Sequence, residues 1–174
     1  MKILDVIKED HDQFRELLSK LAVLDQGEHM AEERTAIIQK LREEVISHAR
    51  AEEAVVYNSM RKADAPTDMV YHGFKEHAET EVMIHALAAS NAVGLEFKAL
   101  VEKVQHDLLH HVKEEETDLF PQVREAFTDE DGEKMARVFH QLKAEHMEKS
   151  ALRNAVGLVE NLVAPGSSPD IVKQ

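Results

Sequence analysis

Cysteine and tryptophan are both absent from this chain of 174 residues. Without thiols it can build no disulfide framework, zinc finger, thiolate-held iron–sulfur cluster or cysteine nucleophile. Glycine occurs six times and proline four times, so the breaks between regular segments are few. Positive charge is also scarce: 21 Lys and Arg stand against 34 Asp and Glu, a net charge of −13. Such a balance disfavours a nucleic-acid surface, which needs a basic face to displace counterions from phosphates. It equally disfavours polybasic attachment to anionic lipid. No segment is long and apolar enough to cross a bilayer. The opening MKILDVIKEDHD turns acidic at once and has no apolar signal-peptide region. The expectation is a soluble, cytoplasmic protein with no nucleic-acid or membrane partner, monomeric or a weak homodimer.

What is abundant is histidine, with 11 residues, in a chain whose 43% hydrophobic content is that of one globular domain. Many imidazoles and carboxylates without sulfur point, for any bound metal, to a hard or borderline ion with nitrogen and oxygen ligands.

Long stretches rich in Ala, Leu, Glu, Lys and Met, with little β-branched alternation, predict an all-α fold. Five helices are expected, at about 5–24, 30–60, 67–90, 95–127 and 129–163. Asp5 and Thr67 or Asp68 are the expected caps, Pro121 an expected kink, and Thr128 with Asp131 a weak capping box. The first four helices form one domain of residues 1–164 together with the fifth, and residues 165–174 form a flexible tail.

The apolar stripes carry the functional signal. The first helix presents Leu4, Ile7, His11, Phe14, Leu18 and Leu21 in alternating steps of three and four. The second presents Leu41, Val45, His48, Glu52 and Val55. The third presents Val70, Phe74, His77, Glu81, Ile84 and Ala88, and the fourth Leu100, Val104, Leu108, His111, Glu115 and Leu119. This is the inward face of a four-helix bundle, interrupted in every helix by His and in three of them by Glu one turn later. The pattern repeats internally: HARAEEAVVY from His48 aligns with HVKEEETDLF from His111, and KEDHDQF around His11 with FKEHAET around His77. A helix pair thus occurs twice, with a site between the halves.

A single mid-stripe His is more often a hydrogen-bonded core residue than a ligand. Four at matching depth, three of them followed by a buried Glu with no Lys or Arg on the stripe, need a different explanation. Buried carboxylates and imidazoles are expensive unless paired or metal-bound, and a dinuclear centre satisfies both. His106, His110 and Glu114 form a competing series that shares its face with Asp107 and Asp118, and is read as solvated. His72 and His85 flank the third stripe, His29 falls in a loop, and His140 and His146 accompany Met135, Val138, Phe139 and Leu142 on a packing face.

These residues resemble the hemerythrin-like HHE cation-binding domains. The resemblance rests on Glu9-Asp10-His11, His48-x-x-x-Glu52-Glu53, Glu76-His77-x-x-x-Glu81 and His111-Val-Lys-Glu-Glu115-Glu116 followed by Leu119-Phe120-Pro121. It covers about residues 3–127, and residues 128–174 lie outside it. It implies an antiparallel up-down-up-down four-helix bundle with an added C-terminal helix, holding an oxo- or hydroxo-bridged pair of iron ions, with manganese or zinc as alternatives. By position, Glu52 and Glu115 are implied as bridging carboxylates, His11 and His48 as ligands of one iron, and His77, His111 and Glu81 as ligands of the other. Oxygen-carrying relatives have His where this chain has Glu81, and Asp where it has Glu115. The extra anionic oxygen favours ferric iron and works against reversible oxygen storage.

The function implied is reaction of a di-iron centre with a small oxidant, with hydrogen peroxide decomposition, a catalase-like activity, as the leading expectation. The iron near His11 and His48 would keep the exchangeable position, with Phe14, Phe74 and Leu108 as its apolar wall. The alternative is non-catalytic binding or sensing of oxygen, nitric oxide or iron. A metal-free structural bundle and a bis-His haem bundle are weaker readings, the latter because it leaves three buried Glu without a purpose.

Overall fold

The computed structural model describes residues 1–24, 30–63, 65–90 and 94–163, with side chains as far as residue 152. The expected loop position of His29 and the expected tail at 165–174 lie outside the described residues. Helix α1 is Ile3–Val23. Helix α2 runs over Ala31–Glu52, passes through a π-helical turn at Glu53–Tyr57 and ends with Asn58–Lys62. Helix α3 is Asp68–Ala89. Helix α4 runs over Gly94–Glu114, passes through a second π-helical turn at Glu115–Leu119 and ends with Phe120–Ala126. Helix α5 is Asp129–Val163. No strand occurs among the described residues.

The helix ends follow local chemistry, with one correction to expectation. Asp5 is not the cap of α1 but its third residue, where its carboxylate accepts the Lys2 backbone N–H at 3.0 Å. Pro121 is the second residue of the last segment of α4. That segment follows directly on the π turn at Glu115–Leu119, so the helix is already irregular where the proline enters. The Thr128–Asp131 capping box forms as expected: the Thr128 hydroxyl accepts the Asp131 N–H, and the Asp131 carboxylate accepts the Thr128 N–H, both at 3.2 Å.

Helix α1 packs on α2 and α4, and α3 packs on α2 and α4, closing a ring of four; α5 lies outside it against α2 and α1. Two apolar layers fill the ring. One joins Ile3, Val6 and Ile7 at the start of α1 to Val55 and Met60 late in α2, Val70 at the start of α3, and Leu119 and Val123 late in α4. The other joins Phe14, Leu18 and Leu21 to Ile38, Leu41 and Val45, to Ile84 and Leu87, and to Phe97, Val101 and Val104. Leu18, Leu41 and Ile84 are fully enclosed, and each truncation to Ala would cost about 2–5 kcal/mol. Met135, Ala136 and Phe139 extend the first layer onto α5, whereas Val138 is 47% exposed and takes no part in that packing face. Between the two layers lies a slab of buried polar side chains.

Candidate metal centre

That slab consists of His11 from α1, His48 and Glu52 from α2, His77 from α3, and His111 and Glu115 from α4, each at most 5% exposed. The four-residue spacing stacks each His over its Glu on the inner face of α2 and α4. In both helices the backbone then widens into a π turn, one residue after Glu52 and at Glu115 itself. The extra residue per turn is a device found mostly at functional sites, and here it falls within one residue of matching places in the two halves of the internal repeat.

Every imidazole is held from outside by a carboxylate on Nδ1. His11 meets Glu116 at 3.1 Å, His48 meets Asp10 at 2.9 Å, His77 meets Glu53 at 3.1 Å and His111 meets Glu76 at 2.9 Å. Each carboxylate is backed in turn by a basic group: Glu116 by Arg15, Asp10 by Lys143, Glu53 by Arg50 and Glu76 by His72. A carboxylate on Nδ1 fixes the proton there and turns the lone pair on Nε2 away from it. All four Nε2 atoms therefore face inward.

The inner atoms approach one another, and most of them find no hydrogen-bond partner. His77 Nε2 and His111 Nε2 are 3.1 Å apart. Glu115 Oε2 lies 3.2 Å from His11 Nε2 without hydrogen-bond alignment, and Glu115 Oε1 lies 3.5 Å from His111 Nε2. Glu52 Oε2 stands 3.5 Å from His48 Nε2 and 3.6 Å from His77 Nε2. Among the described residues, His11 Nε2, His48 Nε2, both Glu52 oxygens and Glu115 Oε2 are buried with no hydrogen-bond partner. Orphaned buried groups of this kind are costly and call for a missing partner.

Their electrostatics say the same. Burial, reinforced by the Glu115 charge, pushes the Glu52 carboxyl well above its usual range. Burial also opposes the charge on Glu115, but His111 and His11 outweigh it and hold that carboxyl well below its usual range. His111 is opposed by burial too, yet Glu115 and Glu76 raise it to about 9. Burial lowers His77. The hydrogen bond from His11 helps bring Glu116 to about 2. Without a cation, then, two carboxylates and four imidazoles must share protons to coexist. Ligand atoms fall into two groups that span no more than 4.8 Å each: Glu52, His77, His111 and Glu115, and His11, His48 and Glu115. Nitrogen and oxygen donors without sulfur fit a hard or borderline divalent or trivalent ion, so the residues present fit a metal pair.

Glu81, the seventh expected ligand, is not brought into either group. Its carboxylate pairs with the Arg50 guanidinium and it is 31% exposed on its side chain. A guanidinium one helix away offers a planar, charge-assisted partner, and the Glu81 side chain takes it. His106 and His110 are exposed, as expected for a solvated face, and His72 bridges Glu76 and Glu114 at the rim.

Tyr57 is a site residue that the periodicity did not single out. It is fully buried, donates its hydroxyl to Glu115 Oε1 at 2.5 Å, and stacks on His77 with ring centroids 5.3 Å apart. Burial first, and the Glu115 charge second, push its phenol well above the usual value. Gly73 makes the space, because a Cβ there would stand 2.3 Å from the Tyr57 hydroxyl oxygen. A glycine inside a helix costs about 1 kcal/mol relative to Ala, and that unexplained mid-helix Gly was the available signal.

A cavity of about 20 Å³ adjoins the cluster, lined by the four inward histidines and Glu81, with Phe14, Val45, Ala49 and Leu108 among its apolar walls. Phe14 and Leu108 are thus placed as expected. Phe74 is not: it packs on the Tyr57 ring at 5.1 Å.

A family model described as "Hemerythrin HHE cation binding domain" matches residues 2–123. A DNA nickase of Nostoc sp. (strain PCC 7120 / SAG 25.82 / UTEX 2576) is 27% identical over 146 residues, which cover 83% of this chain and 40% of that protein. The chain therefore spans well under half the length of that relative. No solved structure matches.

Proposed function

The chain belongs to the hemerythrin HHE cation-binding family, and from that premise we propose that its buried His–Glu slab holds two iron ions and decomposes hydrogen peroxide. The observation that carries this reading is the inward convergence of orphaned ligand atoms around two carboxylates, each of which faces both groups. Glu115 turns one oxygen towards His11 and the other towards His111, and Glu52 stands between His48 and His77. In this reading His11 and His48 hold one ion, His77 and His111 the other, and Glu52 and Glu115 bridge them. Manganese or zinc would fit the same donors less selectively. The bundle is read as up-down-up-down and antiparallel, because each apolar layer joins the start of one helix to the end of the next.

The chemistry that iron supplies when bound is two-electron exchange, so that one peroxide is oxidised to O₂ while a second is reduced, 2 H₂O₂ giving O₂ and 2 H₂O. The chain's own residues provide the setting. The cavity beside the histidines has room for one small molecule, and its lining is mostly apolar. The Tyr57 hydroxyl holds a proton at the edge of the site, donated to Glu115. The outer carboxylates fix the four rings so that no reorganisation is needed when a ligand arrives.

Oxygen evolution from peroxide by the iron-loaded protein tests the activity. Turnover well above that of the same concentration of free iron is expected; turnover no faster than free iron overturns it. The size of the cavity also suits a diatomic ligand, and this favours a second reading, in which oxygen or nitric oxide is bound without turnover. A stable, reversible adduct in the visible spectrum of the reduced protein would select that reading. The nicking activity named for the Nostoc relative belongs to a protein of which this chain spans 40%, and the net charge of −13 gives no reason to extend it here.

A further inference from the structure

Three of the four imidazole–carboxylate links are backed by basic groups from within the matched segment, but the fourth is not. Asp10, which accepts from His48 Nδ1 at 2.9 Å, is met at 2.6 Å by Lys143, a residue of α5 some twenty positions beyond residue 123. Lys143 is also the most enclosed of the four basic partners: its side chain is 12% exposed, against 36% for Arg15, 41% for Arg50 and 44% for His72. Its ammonium is shared with Glu44 at 2.8 Å, and Glu44 is itself buried. One turn earlier on the same helix, the fully buried Phe139 sets its ring edge-on to His48 at 5.5 Å. Helix α5 therefore holds His48 twice, directly through Phe139 and through Asp10 by Lys143.

We propose that α5 is a working wall of the metal centre rather than an appendage, and that Lys143 is a positioning residue that fixes the tautomer and orientation of His48. Without its ammonium, Asp10 would lose the cation that ties it to α5, while Glu44 would keep Lys40 at 2.5 Å. Asp10, no longer held towards α5, can then swing away from His48 Nδ1, and the ring loses the contact that orients it. The consequence is selective. The His11/His48 pocket loosens, while the His77/His111 pocket keeps Glu53 with Arg50 and Glu76 with His72.

The inference rests on the proposed metal pair for its consequence, but its first readout does not require metal. In metal-free protein, nitrogen NMR of the histidine rings should show His48 as a single tautomer protonated at Nδ1. Lys143→Met should convert that signal to a mixture and leave His77 and His111 unchanged. Lys143→Arg should restore it, and Lys134→Met, an exposed lysine of the same helix, should have no effect. In iron titrations Lys143→Met should weaken the binding of one ion of the pair about 10- to 100-fold and leave the other unchanged. If Lys143→Met does not fold, Asp10→Asn, which keeps the lysine and removes the charge it meets, should give the same selective change. A folded Lys143→Met or Asp10→Asn protein with an unaltered His48 tautomer overturns the proposal. Wild-type protein that binds no metal, together with the tautomer change in Lys143→Met, would overturn the metal reading and keep this one.

Discussion

The two pockets that meet at Glu115 are built from the same ligand types but set in different surroundings. Around His11 and His48 the neighbours are rings and aliphatic groups: Phe14 lies 6.0 Å from one imidazole and 5.1 Å from the other, Phe120 stacks on His11 at 6.2 Å, and Phe139 closes on His48. Around His77 and His111 the neighbours are polar. Tyr57 reaches in with its hydroxyl, the two Nε2 atoms are 3.1 Å apart, and Glu76 and Glu53 connect outward to His72 and Arg50 at the surface. One pocket has three candidate ligands in a dry wall; the other has four and a phenol beside them. Under the proposed metal pair, this asymmetry would divide the labour, the more apolar pocket with fewer candidate ligands leaving room for an incoming molecule and the richer pocket anchoring its ion. Apolar walls and few ligands are what an exchangeable position needs.

The largest effect that would break this comparison should come from Glu115, the one residue common to both ligand groups. Glu115→Ala removes an oxygen from each pocket and strands His111, whose raised pKa depends on that charge. We expect iron content after anaerobic loading to fall close to zero, measured by elemental analysis with the optical spectrum. A variant that still holds a full pair would show that the two pockets do not share this carboxylate. His48→Ala should do less, emptying the His11/His48 pocket and sparing the other, so that about half the metal remains. An equal loss from both pockets would mean that they fill only as a unit, and the contrast drawn between them would fail.

Much of this centre was legible before any coordinates. Three-and-four spacing put His11, His48, Glu52, His77, His111 and Glu115 on inward faces because helix periodicity is a local property, read along one segment. The partners of those residues were not legible in the same way. Glu116 meets His11 across 105 positions and Lys143 meets Asp10 across 133, and no periodicity relates residues on different helices. Tyr57 looked like one more apolar position of the repeat, opposite Phe120, and its hydroxyl acquires meaning only once Glu115 and Gly73 lie beside it. The position of Glu81 was hidden for the opposite reason. Its Cα is on the right stripe, but a long carboxylate side chain chooses among partners within reach, and Arg50 arrives from α2.

Tyr57→Phe should have a smaller and more confined effect than either ligand deletion. The substitution keeps the ring that stacks on His77 and deletes the hydroxyl donated to buried Glu115. A buried hydrogen bond to a charged acceptor contributes about 1.5–3 kcal/mol. We expect the metal-free protein to lose stability on that scale in chemical denaturation. Iron loading should recover most of it, since a cation then satisfies Glu115 in place of the phenol. Iron stoichiometry should stay at the wild-type level. Loss of metal in this variant would promote Tyr57 from a proton-holding neighbour to a ligand, and would make the polar pocket richer still.

The smallest effect expected is that of Glu81→Gln, and it sharpens the comparison most, because Glu81 is the residue on which family pattern and coordinates part. If its carboxylate completed the His77/His111 pocket, replacing it by an amide would weaken that ion selectively and shift the iron spectrum. In the structure the carboxylate instead pairs with Arg50 at a partly exposed position, where such pairs contribute about 0–1 kcal/mol. Arg50 would retain Glu53, which holds His77 Nδ1, so the ring should not move. Unchanged iron content and spectrum, with at most a slight loss of stability, are therefore expected. The alternative result would require Glu81 to leave Arg50 and swing inward when metal arrives. The richer pocket would then gain a fifth protein ligand, and the exchangeable position would be confined still more firmly to the side of His11 and His48.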